Sequence, residues 1–206
     1  VSGKIYMSLI REILRAIRIT LVFWLIAGII YPLAILVVGQ GLFPYQANGS
    51  VMQNIEAQPI GSALIGQVFA SEQYFHSRPS AARYSQGRKA RPTGISGGSN
   101  LAPSNPALLN RIIEEANRLR EENIQPIEDL IYSSGSGLDP HISIQAARQQ
   151  IERVARARNV QPDEILRLMN KYTDGRFLGI FGEPGVNVLR LNYALDLQDL
   201  NNQQNR

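Results

Sequence analysis

Residues 94–98, Gly-Ile-Ser-Gly-Gly, reproduce the G-x-S-x-G spacing of a nucleophile elbow. In that motif the serine sits on a tight turn between a strand and a helix, which bares its hydroxyl to the substrate. Here a basic loop precedes it, and Ser99, Asn100, Pro103 and Pro106 follow. That context favours a turn or a ligand-contacting loop over a secreted serine hydrolase acting through Ser96. The two histidines, His76 and His141, stand 65 residues apart and offer no metal-ligand spacing. His76, within Tyr74-Phe75-His76-Ser77-Arg78, reads as a structural hydrogen-bonding residue, with proton transfer as the sharper alternative.

Two further clusters can handle anions. Arg78, Arg83, Arg88, Lys89 and Arg91 fall in a stretch, residues 73–101, that contains no acid. A solvated basic loop is the plain reading; headgroups, phosphate or an acidic protein surface are the functional ones. Ser134, Gly135, Ser136 and Gly137 precede a helical pattern, and hydroxyls with mobile backbone N–H groups near a helix start can accept a phosphate. The lysine of a P-loop is missing, so a capping turn is the competing reading.

Composition narrows the chemistry. Cysteine is absent, which removes disulfides, thiol nucleophiles and thiolate metal sites. No Asp-Lys-Thr-Gly stretch is present to form the aspartyl phosphate of a P-type pump; Lys171-Tyr172-Thr173-Asp174-Gly175 only superficially resembles it. The formal charge is +4, but residues 1–18 hold four basic groups against one acid, leaving 17 basic and 16 acidic residues beyond them. The basic balance therefore speaks of membrane topology and not of nucleic acid.

The elements that must position these residues begin with residues 19–39, ITLVFWLIAGIIYPLAILVVG, which carry no charged side chain. At about 1.5 Å per residue this run reaches about 30 Å as a helix, the hydrocarbon thickness of a bilayer. Lys4, Arg11, Arg15 and Arg18 precede it, while residues 40–55 are uncharged, so the positive-inside rule predicts a cytoplasmic N-terminus and an extracytoplasmic body. A cleaved signal is the rival reading, but its apolar core is shorter and ends in a small-residue cleavage site. Pro32 predicts a kink, and Gly28 offers close approach to another helix. The expected organisation is a cytoplasmic segment at 1–18, a transmembrane helix at 19–39, a connector at 40–58, one extracytoplasmic α+β domain at 59–196 and a polar tail at 197–206.

Within the body, residues 62–70 (SALIGQVFA) read as a strand and 74–106 as a long loop region. Asn105 and Pro106 open a helix whose face is Leu108, Leu109, Ile112, Ile113, Ala116 and Leu119. A second helix starts near Asp139 and Pro140, or one turn later at Ser143, with the stripe Ile144, Ala147, Ile151, Val154. A third starts at Pro162, buries Ile165, Leu168, Met169 and Tyr172, and stops at Asp174 and Gly175. Residues 177–181 and 186–195 read as closing strands around a turn at 182–185.

Several stretches then carry a resemblance: LFPYQANGS (42–50), GSALIGQVF (61–69), YFHSRPSAA (74–82), SGGSNLAPSNP (96–106), SGSGLDPHIS (134–143), RVARARN (153–159) and VNVLRLNYALD (186–196). In this order they resemble the C chains of the bacterial potassium-transporting Kdp ATPase, from the apolar run to Asp196. Ala102 stands where many members carry Gly, which touches turn geometry only. The resemblance implies a non-catalytic, single-span accessory subunit of an ATP-driven, high-affinity potassium pump in the cytoplasmic membrane. Its implied partners are a pore-forming potassium-binding chain, a P-type ATPase chain and a small one-helix chain. Its implied role is to stabilise the complex, cover the extracytoplasmic potassium entrance or modulate ATP use, with ATP and potassium ions handled by the complex and no metal site in this chain. It also attaches ATP binding to a serine–glycine stretch, whose nearest candidate is Ser134, Gly135, Ser136 and Gly137. A membrane-tethered phosphate- or nucleotide-binding module is the alternative.

Overall fold

The computed structural model describes residues 2–86 and 94–204 and divides the chain into two compact units, Val1–Val51 and Met52–Arg206. The first unit is almost entirely helical. Helix α1 (Ser2–Leu25) passes through a π turn (Ile26–Ile30) into α2 (Tyr31–Leu42). Pro32 lacks the N–H that would reach back one turn, and its ring collides with the carbonyl four residues earlier. The chain answers by widening: the Tyr31 N–H bonds the Ile26 carbonyl, five residues back. The span able to cross a membrane by length and composition is Leu9–Leu42, 34 residues, longer than the uncharged run because the helix continues through the basic flank. There Ile10, Ile13, Leu14 and Ile17 share one face at helical spacing, while Arg11, Arg15 and Arg18 share another. The apolar side chains of this span are not covered within the chain: Trp24 is 63% exposed and Val37 70%. Trp24 lies against Gly28, so that face is partly filled by the chain's own indole.

The chain then folds back on itself. Phe43 leaves the helical region, and the short α3 (Pro44–Ala47) follows. Asn48 donates to the Pro44 carbonyl (2.7 Å) and to Oε1 of Gln40 (3.0 Å), and Tyr45 donates to the Ser50 carbonyl (3.0 Å). The stretch expected to be a polar connector thus begins as a hydrogen-bonded helical turn.

Strand β1 (Val51–Gln53), which starts at the last residue of the first unit, and β2 (Pro59–Ser62) form a two-stranded sheet, with Asn54 Oδ1 accepting from the Glu56 and Gln58 N–H groups in the connecting turn; the rest follows in the second unit. Then come α4 (Pro106–Glu121), α5 (Glu128–Ile131), β3 (His141–Ser143), α6 (Ile144–Arg158), α7 (Pro162–Lys171), β4 (Thr173–Asp174), β5 (Gly185–Asn187) and α8 (Val188–Gln204). The second sheet is antiparallel in the order β3-β5-β4, with Ile142 opposite Val186 and Thr173 opposite Val186. The main core joins Ile142 and Val186 to Ala147, Ile151 and Val154 of α6, Ile165 and Met169 of α7, Leu191 and Leu195 of α8, Leu119 of α4, and Phe75. Each Val, Leu, Ile, Met or Phe side chain among them, removed from water, contributes about 1.5–3 kcal/mol. The α+β class and the starts of α4, α6 and α7 agree with their sequence signals. Asn105 Oδ1 accepts from the Ala107 N–H, and Ser143 Oγ from the Ala146 N–H.

Three expected strands differ. Residues 186–195 are a strand only to Asn187; α8 then runs on to Gln204, through most of the expected tail. The β-branched Val186 and Val188, two residues apart, masked a helical face on which Val188, Leu191, Asn192 and Leu195 are all buried. The polar Asn192 hid that face. Residues 63–70 leave the sheet after Ser62 because the backbone must pass close to its neighbours: a Cβ on Gly66 would come within 2.4 Å of the Tyr84 ring. Residues 177–181 form one isolated bridge, Phe177 with Phe181, at a hairpin tip. In α4 the predicted face is only half used: Ala116 and Leu119 are buried, Leu109 and Ile113 exposed.

Candidate functional site

The long irregular stretch of the body is held by side chains from α6 and α8 that stand in for a neighbouring strand. Asn192 Oδ1 accepts from the Phe75 N–H (2.8 Å) and its Nδ2 donates to the Phe75 carbonyl (2.9 Å). Gln150 repeats the pattern one residue on, with 2.7 Å from the His76 N–H and 3.1 Å to the His76 carbonyl. Arg153 donates to the carbonyls of Glu72 and Tyr74, and Arg158 to that of Gln73. Arg158 also bridges Asp196 (2.9 Å) and Asp199 (2.6 Å) and lies over the Tyr74 ring at 5.0 Å. Gln150 and Asn192 are fully buried, where an unpaired backbone group costs about 1–3 kcal/mol. This clamp supplies those partners.

Two motifs distant in sequence meet beside this clamp. Ser96 of the G-x-S-x-G loop donates its hydroxyl to the Ser136 carbonyl (2.9 Å), and the Gly97 N–H reaches the same oxygen at 2.7 Å. Glycine is needed for this approach: a Cβ on Gly137, whose φ is +68°, would stand 2.6 Å from the Gly97 carbonyl oxygen. Ser134, buried, accepts at Oγ from the Gly137 N–H (3.1 Å) and its N–H donates to the Pro79 carbonyl (2.8 Å). Ser136 Oγ accepts from the Leu138 N–H (3.1 Å), and Ser80 donates to the Gly137 carbonyl (2.7 Å). Gly135 and Ser136 are exposed. The Ser134–Gly137 turn is separated from the start of α6 by β3, and that helix is capped by Ser143. Ser96 stands in a loop without the strand and helix that an elbow requires.

A cleft of about 430 Å³ opens next to these loops, lined among others by His76, Arg78, Arg83, Tyr84, Arg118 and Glu122. Burial, with the Arg153 guanidinium adding to it, pushes His76 down to about 4, so the ring is neutral at physiological pH. Its Nδ1 lies 3.9 Å from Glu122 and its Nε2 3.3 Å from the Ser71 carbonyl. Arg78 pairs with Asp129 (3.0 Å) and Asp139 (3.5 Å), so one member of the basic cluster is a tie between loops. Arg83 is exposed, and Arg88, Lys89 and Arg91 lie outside the described residues. Tyr84 donates to the Arg78 carbonyl (2.5 Å), and burial raises its hydroxyl to about 12.

His141 sits elsewhere, on β3 opposite Asn187. Asp139 (3.7 Å from Nδ1) raises its pKa against the opposing effect of burial, and Asp174 (3.1 Å from Nε2) adds to the rise. Among the described residues no group of three or more His, Asp or Glu side chains is placed to hold a metal ion. Sequence reading missed Gln150, Arg153 and Asn192. Their one visible signal is a polar residue standing in register with a helix's apolar stripe.

A helix able to cross a membrane, joined to an α+β body whose serines, amides and guanidinia tie down its own loops, has the form of an accessory module. Residues 13–197 match the family model described as KdpC, the c chain of the K+-transporting ATPase. The potassium-transporting ATPase KdpC subunit of Anabaena sp. (strain L31) is 94% identical over 200 residues, spanning 97% of this chain and 100% of that one. KdpC subunit 2 of Nostoc sp. (strain PCC 7120) is 85% identical across 97% of this chain and 100% of its own length. The KdpC subunit of Synechocystis sp. (strain PCC 6803) is 60% identical across 91% and 99%. The chain belongs to the KdpC family of potassium-transporting ATPase subunits.

Proposed function

We propose that this chain is a single-pass subunit of a Kdp-type potassium pump in the cytoplasmic membrane, with residues 1–18 in the cytoplasm and the body beyond the connector on the opposite face. There it braces the complex and covers the potassium entrance of the pore-forming chain, beside a P-type ATPase chain and a small one-helix chain. The observation that carries this reading is the charge asymmetry of the span. Arg11, Arg15 and Arg18 lie at one end, and residues 40–55 at the other carry no charge. Protease added from outside to intact spheroplasts should digest the body and spare the N-terminal residues; the reverse pattern removes the proposed orientation. Replacing residues 19–39 by polyleucine should release the chain from the purified pump, and an intact complex would count against a specific role for the helix.

Phosphate or nucleotide binding at Ser134, Gly135, Ser136 and Gly137 is the second reading, favoured by the exposure of Gly135 and Ser136. The engagement of both serine hydroxyls by neighbouring backbone supports a structural turn instead. Calorimetry of the full chain with millimolar ATP or phosphate separates the two: saturable heat supports a ligand site, silence the turn.

A further inference from the structure

Phe177, Leu178, Ile180 and Phe181 are 71%, 74%, 73% and 62% exposed, four large apolar side chains within five residues. The tip that carries them is built. Phe177 and Phe181 exchange both backbone hydrogen bonds (2.8 and 3.0 Å), and the Gly179 N–H reaches the Arg176 carbonyl (3.0 Å). Its base is fixed by β4 and β5, where Thr173 pairs with the buried Val186. Leu178 has a φ of +54°, a left-handed conformation unfavourable for a residue other than glycine. Unfavourable backbone and unburied apolar surface at one place find no compensation within the body, and contiguous exposed apolar patches mark interaction sites.

We propose that this tip docks into an apolar depression on another subunit of the same pump. The inference rests on the accessory-subunit reading above and adds the surface through which it works. The chemistry selects a protein occupant over lipid. Trp and Tyr, whose polar ends stay wet, are enriched at a bilayer interface, and the tip has neither. Nor does it carry a basic collar to attract anionic headgroups, because Arg176 is neutralised by both oxygens of Glu183 at 3.0 Å. A neutral neck beneath Phe, Leu, Ile and Phe matches the dry centre of a subunit interface, where charge is depleted and aromatic residues are enriched.

The test uses the full chain in the assembled pump. Co-purification of the unaltered chain with the larger subunits is measured first; its failure removes the accessory-subunit reading itself. With that established, a benzophenone amino acid replaces Leu178, and a second preparation carries it at Glu152, an exposed position on α6. On irradiation the Leu178 site should give an adduct with another pump subunit, at least tenfold more than the Glu152 site. Adding Phe177→Ser and Phe181→Ser should lower that adduct at least tenfold, and because both side chains are exposed the body should keep its protease resistance. An adduct only with lipid, an adduct only with a second copy of this chain, no adduct, or an adduct indifferent to the two serines overturns the proposal while leaving the accessory-subunit reading in place.

Discussion

The span Leu9–Leu42 and the irregular segment 63–77 face the same requirement, a partner for every backbone polar group, and meet it in opposite ways. The helix satisfies its backbone locally and leaves its side chains for lipid or neighbouring helices to cover. The segment 72–76 is pinned to the core by Phe75 and leaves its backbone to be paired by Asn192, Gln150, Arg153 and Arg158. The first region depends on the apolarity of its own residues. The second depends on a few polar residues far along the chain.

Substitutions can break this contrast. Asn192→Leu keeps the volume of a buried position but strips the Phe75 N–H and carbonyl of their partners. It should cost about 4 kcal/mol, at about 2 kcal/mol for each orphaned group, read as a lower urea midpoint of the full chain in detergent. Leu33→Asp should leave the body's unfolding unchanged and reduce carbonate-resistant membrane insertion, at a cost of about 3 kcal/mol for an acid near the middle of a span. Gly137→Ala sharpens the comparison at the loop crossing. Its positive φ and the Gly97 carbonyl 2.6 Å from the new Cβ should together lower stability by about 2 kcal/mol.

The clamp should also respond to pH. His76 titrates near 4 in the folded chain against an ordinary 6.5, so the unfolded chain takes up the proton first. The stability present above pH 6.5 is lost progressively as pH falls toward 4, by about 1 kcal/mol at pH 5.5, and His76→Gln should make that fall shallower. His141 has the opposite sign. Its raised pKa gives stability that is complete below 6.5 and lost as pH rises through the folded value. The smallest effect belongs to Arg15→Ala on the helix, where the pair with Glu12 is 66% and 65% exposed and is worth under about 0.5 kcal/mol in thermal melts.

The helix was legible because its signal is local: an uncharged run with basic residues on one side only. The starts of α4, α6 and α7 were legible for the same reason, since Asn105, Ser143 and Pro162 act on their own first turns. Asn192 was not, because its partner lies 117 residues away and its place in register with an apolar stripe shows only once residues 188–204 are read as a helix. The meeting of Ser96 with Ser136 was hidden in the same way, each motif suggesting a ligand when the nearest group is the other. Arg78 read as a member of a free basic loop, and only its fold neighbours, Asp129 and Asp139, make it a tie.

The π turn at Ile26–Ile30 makes the anchor a two-part device. The π turn takes up one more residue than an α-helical turn, so the residues after it stand about 100° behind where an unbroken α-helix of this sequence would place them. The side of Tyr31–Leu42 that would have continued the upstream stripe is therefore turned away from it, and each half addresses its surroundings in its own direction. Removing one residue from Ile26–Ile30 should let an unbroken α-helix close there and leave the C-terminal half of the rod facing as it does now, whereas removing one from Tyr31–Leu42 should turn everything after it by about 100°.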